Sequence, residues 1–221
     1  MTLLDLAPIK KNISLKNQAY ESIKQAIYTN SLKPGEALTE EALSTMLQIS
    51  RTPIRSALQQ LVYEKLATKD ATGHIFVSTI SEKDVENITY VRSNLEPLAI
   101  DLISFPLPEE KLGYLKQLYS KQLESFTADP DDNICYAELD YEFHSAIAEL
   151  SDNSFLYETV SNINTVMIRI NVLSGTLKTH KEQALQEHKT IIEFLEKGQK
   201  SFAKLALTEH ISNVRGRMFT N

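Results

Sequence analysis

Two stretches near the N-terminus decide the reading of the fold: Leu32-Lys33-Pro34-Gly35-Glu36-Ala37-Leu38-Thr39-Glu40 and Ile49-Ser50-Arg51-Thr52-Pro53-Ile54-Arg55-Ser56-Ala57-Leu58. In the second, Ile54, Ala57, Leu58, Leu61 and Val62 recur at i, i+3, i+4, i+7 and i+8, which is one face of a helix. Arg51, Thr52, Arg55, Ser56 and Gln59 share the polar face. Pro53 falls in the first turn of that helix, where a missing N–H does no harm. In the first stretch Pro34-Gly35 signals a turn. Thr39 is then placed to cap a short helix running to about Leu47.

Working outward, Ala19, Ile23, Ala26 and Ile27 mark a helix over Leu15 to Asn30. Downstream, two β-like runs, Leu66–Lys69 and Ile75–Ser78, flank the turn Asp70-Ala71-Thr72-Gly73. Helix, short helix, tight turn, helix, hairpin is the order of a winged helix-turn-helix, whose third helix docks in a DNA major groove. Arginines at the head of that helix can reach phosphates or guanine edges. The alternative is a small α/β domain with an exposed basic helix face. Residues 1–14 read as a flexible arm, with Lys10 and Lys11 either touching phosphates or lying in a frayed terminus.

The chain has 221 residues, enough for two small domains. Charge supports the division. Residues 1–80 carry 9 Lys+Arg against 7 Asp+Glu, whereas residues 81–221 carry 14 against 22. A near-neutral N-terminal piece therefore precedes an acidic C-terminal one, with different partners expected for each. The sequence shows no long apolar run and no secretory signal, and its single cysteine, Cys135, suits a reducing compartment. A cytoplasmic protein without a membrane partner is expected.

Residues 81–221 read as nearly all helix, over about 82–104, 108–127, 131–150, 154–173, 181–197 and 200–219. The expected fold class is mostly α: a winged helix-turn-helix domain at 15–80, then an antiparallel helical bundle of six or seven helices at 81–221. On a helical wheel, Asp140 and His144 fall within an apolar face at i and i+4. His188 falls near the centre of another apolar face and His210 at the edge of a third. Gln199 lies 11 residues from each of these two histidines, so in a hairpin their imidazoles sit at one height. One carboxylate and three imidazoles at one level form a metal constellation suited to zinc, nickel, cobalt, iron or manganese. The alternative is three separately satisfied core histidines. Arg92 lies within the apparent stripe Ile88, Val91, Leu95, Ala99, Leu102 and Ile103. It reads either as an anion site or as an ion pair with Glu96 or Asp140. His180 reads as an exposed loop residue and Cys135 as a small apolar one. Arg169, Arg215, Arg217 and Asn164 read equally as pocket or interface residues.

The two N-terminal stretches resemble the GntR family of bacterial transcription regulators, whose members read "L-x-PG-x-x-L-x-E" and then "V-SRTPVREAL". The resemblance implies that Arg51, Thr52, Pro53 and Arg55 form the DNA-reading head of the recognition helix. It implies that Gly73 and His74 form the wing tip. Gln48 departs from the usual glycine, so its turn needs either a less positive φ or some strain. Glu41 stands where some relatives carry a phosphate-contacting arginine. The C-terminal part resembles the FCD effector domain of the FadR-like branch, on Val91–Ala99, Asp140-Tyr141-Glu142-Phe143-His144, Glu187-His188-Lys189 and His210. That likeness implies a divalent metal on Asp140, His144, His188 and His210, zinc first, with nickel or manganese as alternatives. It also implies a small organic acid effector near Arg92. Six helices would match the VanR-like subgroup.

The function expected is a homodimeric repressor that binds palindromic operator DNA under control of a small carboxylate. The rivals are a metal-sensing regulator and a metal-dependent enzyme built on the same Asp/His cluster. An enzyme would need a general base beside the metal. Glu138, Glu142 and Glu149 all point away on the wheel, and no in-facing glutamate is placed for that role.

Overall fold

The structure, a computed structural model, describes residues 14–174 and 177–219. Almost all of the expected arm, with Lys10 and Lys11, lies outside the described residues. Its last residue, Ser14, caps α1 (Leu15–Tyr28) by accepting from Asn17 N at 3.2 Å. Helix α2 (Glu40–Leu47) is capped by Thr39, as expected, and α3 (Arg51–Tyr63) begins one residue after Ser50. Strands β1 (Ala67–Lys69) and β2 (Ile75–Val77) pair antiparallel, with Thr68 opposite Phe76. A bridge from Ala37 to Phe76 adds a third segment, so the Pro34-Gly35 turn feeds directly into the wing.

The turn after α2 carries the strain that Gln48 allowed for. Gln48 has φ 54° and ψ 39°, less positive than Gly35, Gly73 and Gly198 but still in the left-handed region, where a residue with a Cβ is strained. Ser44 Oγ donates to Ile49 O and Ile49 N donates to Ser44 O at 3.3 Å, closing the turn.

Six helices follow among the described residues: α4 (Glu82–Leu102), α5 (Glu109–Ala128), α6 (Asn133–Glu149), α7 (Ser154–Ser174), α8 (Leu177–Glu196) and α9 (Lys200–Phe219). Ser81 and Asp84 form a reciprocal capping box at the start of α4. Gly198, at φ 66°, makes the turn between α8 and α9. None of these helices is long and apolar enough to cross a membrane.

Among the described residues, a small hydrophobic cluster of Ala99, Ala148, Leu156 and Val160 and two large ones organise the molecule. One joins α4, α5, α6, α8 and α9 through residues such as Ile100, Leu118, Phe143, Ile191 and Leu207. The other runs from the winged part into the bundle, through Tyr20, Ile54, Leu58 and Leu61 to Tyr136, Met167 and Leu185. The seam is polar as well as apolar. Tyr28 is fully buried and its hydroxyl donates to Thr165 O at 3.3 Å, while Gln25 Nε2 donates to Glu138 Oε1 at 3.3 Å. A groove of about 730 Å³ opens along this seam, lined by Val62, Tyr63, Ile80, Ile88, Ile163 and Val166 among others.

The α4 stripe differs from expectation. Its buried arc holds Val85, Thr89, Arg92, Glu96, Ala99 and Ile100, whereas Val91, Leu98 and Leu102 are 40%, 43% and 45% exposed. Arg92 and Glu96 occupy the centre of the inward face. Of the expected stripe, Val91 and Leu102 point outward, whereas Ala99 and Ile103 are buried. His180 is also displaced: α8 starts at Leu177, so His180 is a half-buried helical residue and not an exposed loop residue.

Candidate functional site

Three helices bring three imidazoles together at the level inferred from the spacing about Gln199. His144 comes from α6, His188 from α8 and His210 from α9, each at 1% exposure or less. His210 Nε2 lies 3.2 Å from His144 Nε2 and 3.3 Å from His188 Nε2. Asp140, one turn before His144, places Oδ1 3.6 Å from His188 Nε2. The three imidazoles offer ligand atoms that all lie within 4.8 Å of one another, whereas Asp140 approaches them through His188 alone.

The outer nitrogens explain the inner geometry. His144 Nδ1 lies 2.7 Å from Glu96 Oε2, His188 Nδ1 2.9 Å from Gln122 Oε1, and His210 Nδ1 2.7 Å from Glu187 Oε2. A carboxylate or carboxamide oxygen only accepts, so each Nδ1 carries the proton and donates outward. Burial pushes all three imidazoles below their ordinary pKa, His188 furthest, so they are neutral. Each Nε2 then presents a lone pair to the other two. Three lone pairs facing one another at this distance repel unless a cation lies between them. Nitrogens bound at about 2.0–2.1 Å to one ion sit about 2.9–3.4 Å apart, as the two pairs that His210 makes do. Outward Nδ1–H donation to an acceptor is also how ligating histidines are oriented and made more basic. The donor set therefore fits a divalent cation better than three independent core histidines. Burial raises Asp140 to about 6, a cost that a neighbouring cation would remove.

Glu96, named from sequence only as a candidate ion-pair partner of Arg92, also supports the cluster. It is 1% exposed and faces inward beside the imidazoles, where no in-facing glutamate was expected near the metal. Burial alone would raise its pKa, but Arg92 and His144 outweigh that and hold it well below the ordinary carboxylate range. Glu96 Oε1 accepts from Arg92 Nε at 2.5 Å. Its two oxygens are thus committed to an arginine and an imidazole, and it serves as an orienting group. Arg92 is likewise fully buried, with its guanidinium 5.0 Å from the Tyr141 ring centre. Both sequence readings of Arg92 meet here: the ion pair with Glu96 is present, and Nη2 has no hydrogen-bond partner. A buried guanidinium corner left open carries an unmet demand for an acceptor.

Gln122 and Glu187 were also missed as supports. Gln122 continues the buried spacing Leu115, Leu118, Gln122 on α5, so periodicity held the signal. Glu187 is half-buried, and its second oxygen accepts from Arg217 Nη2 at 2.6 Å and Asn213 Nδ2 at 2.8 Å. This gives Arg217 a place beside the metal chamber. Arg169 lies instead near Tyr28 at the seam, buried, with none of its three nitrogens hydrogen-bonded. Asn164 Nδ2 donates to Tyr141 O and Ser145 Oγ, bracing α7 on α6. Arg215 is exposed, and Cys135 is half-buried with a free thiol.

At the other end of the molecule, Arg51, Thr52 and Arg55 are exposed on the first turns of α3, with Pro53 half-buried beside them. Arg55 Nε and Nη2 donate to Glu40 Oε1 and Oε2 at 2.7 and 2.9 Å. Arg51 Nη2 lies 3.7 Å from Glu41 Oε2. The wing tip is built on Asp70, whose Oδ1 accepts from Thr72 N, Thr72 Oγ1 and His74 N. Gly73, at φ 95°, supplies the backbone conformation this turn requires.

Comparison with known proteins agrees with both ends. The model of the bacterial regulatory proteins of the gntR family matches residues 15–77, and that of the FCD domain matches residues 87–213. The HTH-type transcriptional regulator YdhC of Bacillus subtilis (strain 168) is 29% identical over 197 residues, covering 89% of this chain and 87% of that protein. The HTH-type transcriptional repressor RspR of Escherichia coli (strain K12) is 23% identical over 201 residues, covering 90% and 87%. The solved structure of E. coli McbR/YncC superposes with a TM-score of 0.77 at 20% identity, over 94% of this chain and 98% of that one. YdhC and RspR are named as an HTH-type transcriptional regulator and an HTH-type transcriptional repressor. A winged helix-turn-helix joined to an FCD bundle makes this chain a transcription regulator, and it belongs to the GntR family.

Proposed function

We propose that the protein is a homodimeric repressor whose operator affinity is set by a small carboxylate bound beside a divalent metal. The observation that carries the metal is the convergence of three Nε2 lone pairs whose Nδ1 protons are all engaged outward. His144, His188, His210 and Asp140 would hold the ion, with zinc the first choice for a three-imidazole, one-carboxylate set. When bound, the ion supplies positive charge and open coordination positions that accept carboxylate oxygens. Arg92 Nη2 is the protein donor best placed to share that anion, because it is buried and has no partner. The repressor sense follows the name of its relative RspR.

DNA contact falls to Arg51, Thr52, Pro53 and Arg55 at the head of α3 and to Gly73 and His74 in the wing. The bundle reaches this domain through the seam of α1 on α7. The groove beside that seam leaves room for the winged part to tilt. A ligand that packs α6 and α7 differently would change that tilt. By linkage, operator DNA would weaken ligand binding by the same factor.

The test is operator binding by metal-stripped and zinc-loaded protein, with and without organic acids chosen by thermal shift. The expected result is an affinity change that needs both the metal and one acid. A change with zinc alone would make the protein a metal sensor. No zinc uptake at all would overturn the metal reading.

A further inference from the structure

Glu96 stands between two groups that otherwise do not touch. Oε1 holds Arg92 Nε and Oε2 holds His144 Nδ1, at 2.5 and 2.7 Å. Arg92 and Glu96 are four residues apart on α4, so both project onto the same face, and all three side chains are buried. The other two imidazoles have different supports. His188 is backed by the neutral Gln122, and His210 by Glu187, whose other partners lie at the half-buried edge near Arg217. Among the described residues, only the support of His144 reaches Arg92, whose Nη2 is open.

We propose that Glu96 is a positioning residue that couples metal uptake by the histidine cluster to anion capture at Arg92 Nη2. The inference rests on the metal and anion reading given above. One carboxylate serves a cation on one side and an imidazole N–H on the other. An anion at Nη2 offsets the guanidinium charge, so the charge of Glu96 acts more fully on the His144 Nδ1–H. A stronger outward hydrogen bond makes Nε2 a better donor to a cation. Metal then tightens the anion, and the anion tightens the metal, by one factor.

Removing the arginine charge should mimic the anion, and removing the carboxylate should do the reverse. The experiment is a zinc titration of the full chain against a chromophoric chelator. Glu96→Gln is expected to weaken zinc binding about 10- to 100-fold. Arg92→Gln is expected to strengthen it about fivefold or more, the lower end of ordinary coupling. Residues that only support the fold would weaken it in both variants. That result, or no change in either, overturns the proposal.

Should either variant fail to fold, the wild-type chain decides by NMR of its slowly exchanging N–H protons. Zinc should move the Arg92 Nε–H resonance together with His144 Nδ1–H. An unmoved Arg92 resonance overturns the coupling. A wild-type chain that takes up no zinc overturns the metal reading and the coupling with it. Zinc uptake that Glu96→Gln leaves intact overturns the coupling alone.

Discussion

Gln48 shows how a single residue can be held against its preference. A non-glycine residue in the left-handed region costs about 1–2 kcal/mol. The turn keeps Gln48 there because α2 and α3 are both buried on the winged core through Leu43, Ile54 and Leu58. Gln48→Gly relieves that strain but gives the unfolded chain more freedom, a counter-effect of about 0.4–1 kcal/mol. The balance is a gain of roughly 0.5–1 kcal/mol. A urea melt followed in the winged domain should show a higher midpoint for the variant, and a lower one would refute the strain.

Asp70 makes the complementary case, a charge that organises a turn. The Thr72 hydroxyl leads the interactions that lower its pKa, followed by the amides of His74 and Thr72. A carboxyl depressed on folding stabilises fully above its unfolded pKa, about 3.9, and loses that contribution as pH falls through the lower folded value. The wing turn should therefore stay closed at pH 5 and open only under stronger acid. NMR of the Thr72 and His74 amides would follow it, and opening above pH 5 would contradict the assignment. Asp70→Ala should fray the tip at pH 7 and weaken operator binding, with zinc uptake unchanged.

Among the elements, α3 separates its two tasks by face. Ile54, Ala57, Leu58 and Leu61 are buried, and Arg51, Thr52 and Arg55 are not. Arg55 is held by a two-point pair to Glu40, but an exposed pair adds little stability. Arg55→Ala should therefore leave thermal melting almost unchanged while weakening operator binding roughly 10- to 100-fold, measured by fluorescence anisotropy. A melting loss equal to the binding loss would instead make Arg55 a structural brace.

The period of α3 was legible because its core face is purely apolar. The equal spacing of His188 and His210 from the turn was legible for the same kind of reason, since helical rise converts count into height. The inward face of α4 was not, because its centre is an arginine and a glutamate that satisfy each other. Apolar periodicity then pointed to Val91 and Leu102, which with Leu98 lie on the exposed edge. Gln122 was hidden in a similar way, a polar residue at an apolar position whose partner lies 66 residues downstream.

At the scale of the whole molecule, that outward edge of α4 acquires a meaning. Val91, Leu98 and Leu102 recur at i, i+7 and i+11, the spacing of one helical stripe, with Tyr90 beside them at 71% exposure. The proposed palindromic operator would need two recognition helices about one helical turn of DNA apart, and so the proposed dimer. An apolar stripe on the bundle, away from α3, is where a second copy can pack without covering the DNA-reading face. Leu98 is the central residue of the three. Leu98→Glu would place two like charges at the middle of a symmetric contact and desolvate both. Sedimentation should then find monomers. Operator affinity should fall by about 100-fold or more, because the second half-site is no longer tethered. Zinc uptake should be unaffected, since Leu98 faces away from the chamber that Arg92 and Glu96 line. A variant that stays dimeric would move the interface elsewhere on the bundle, and one that turns monomeric yet keeps full operator affinity would remove the need for a dimer.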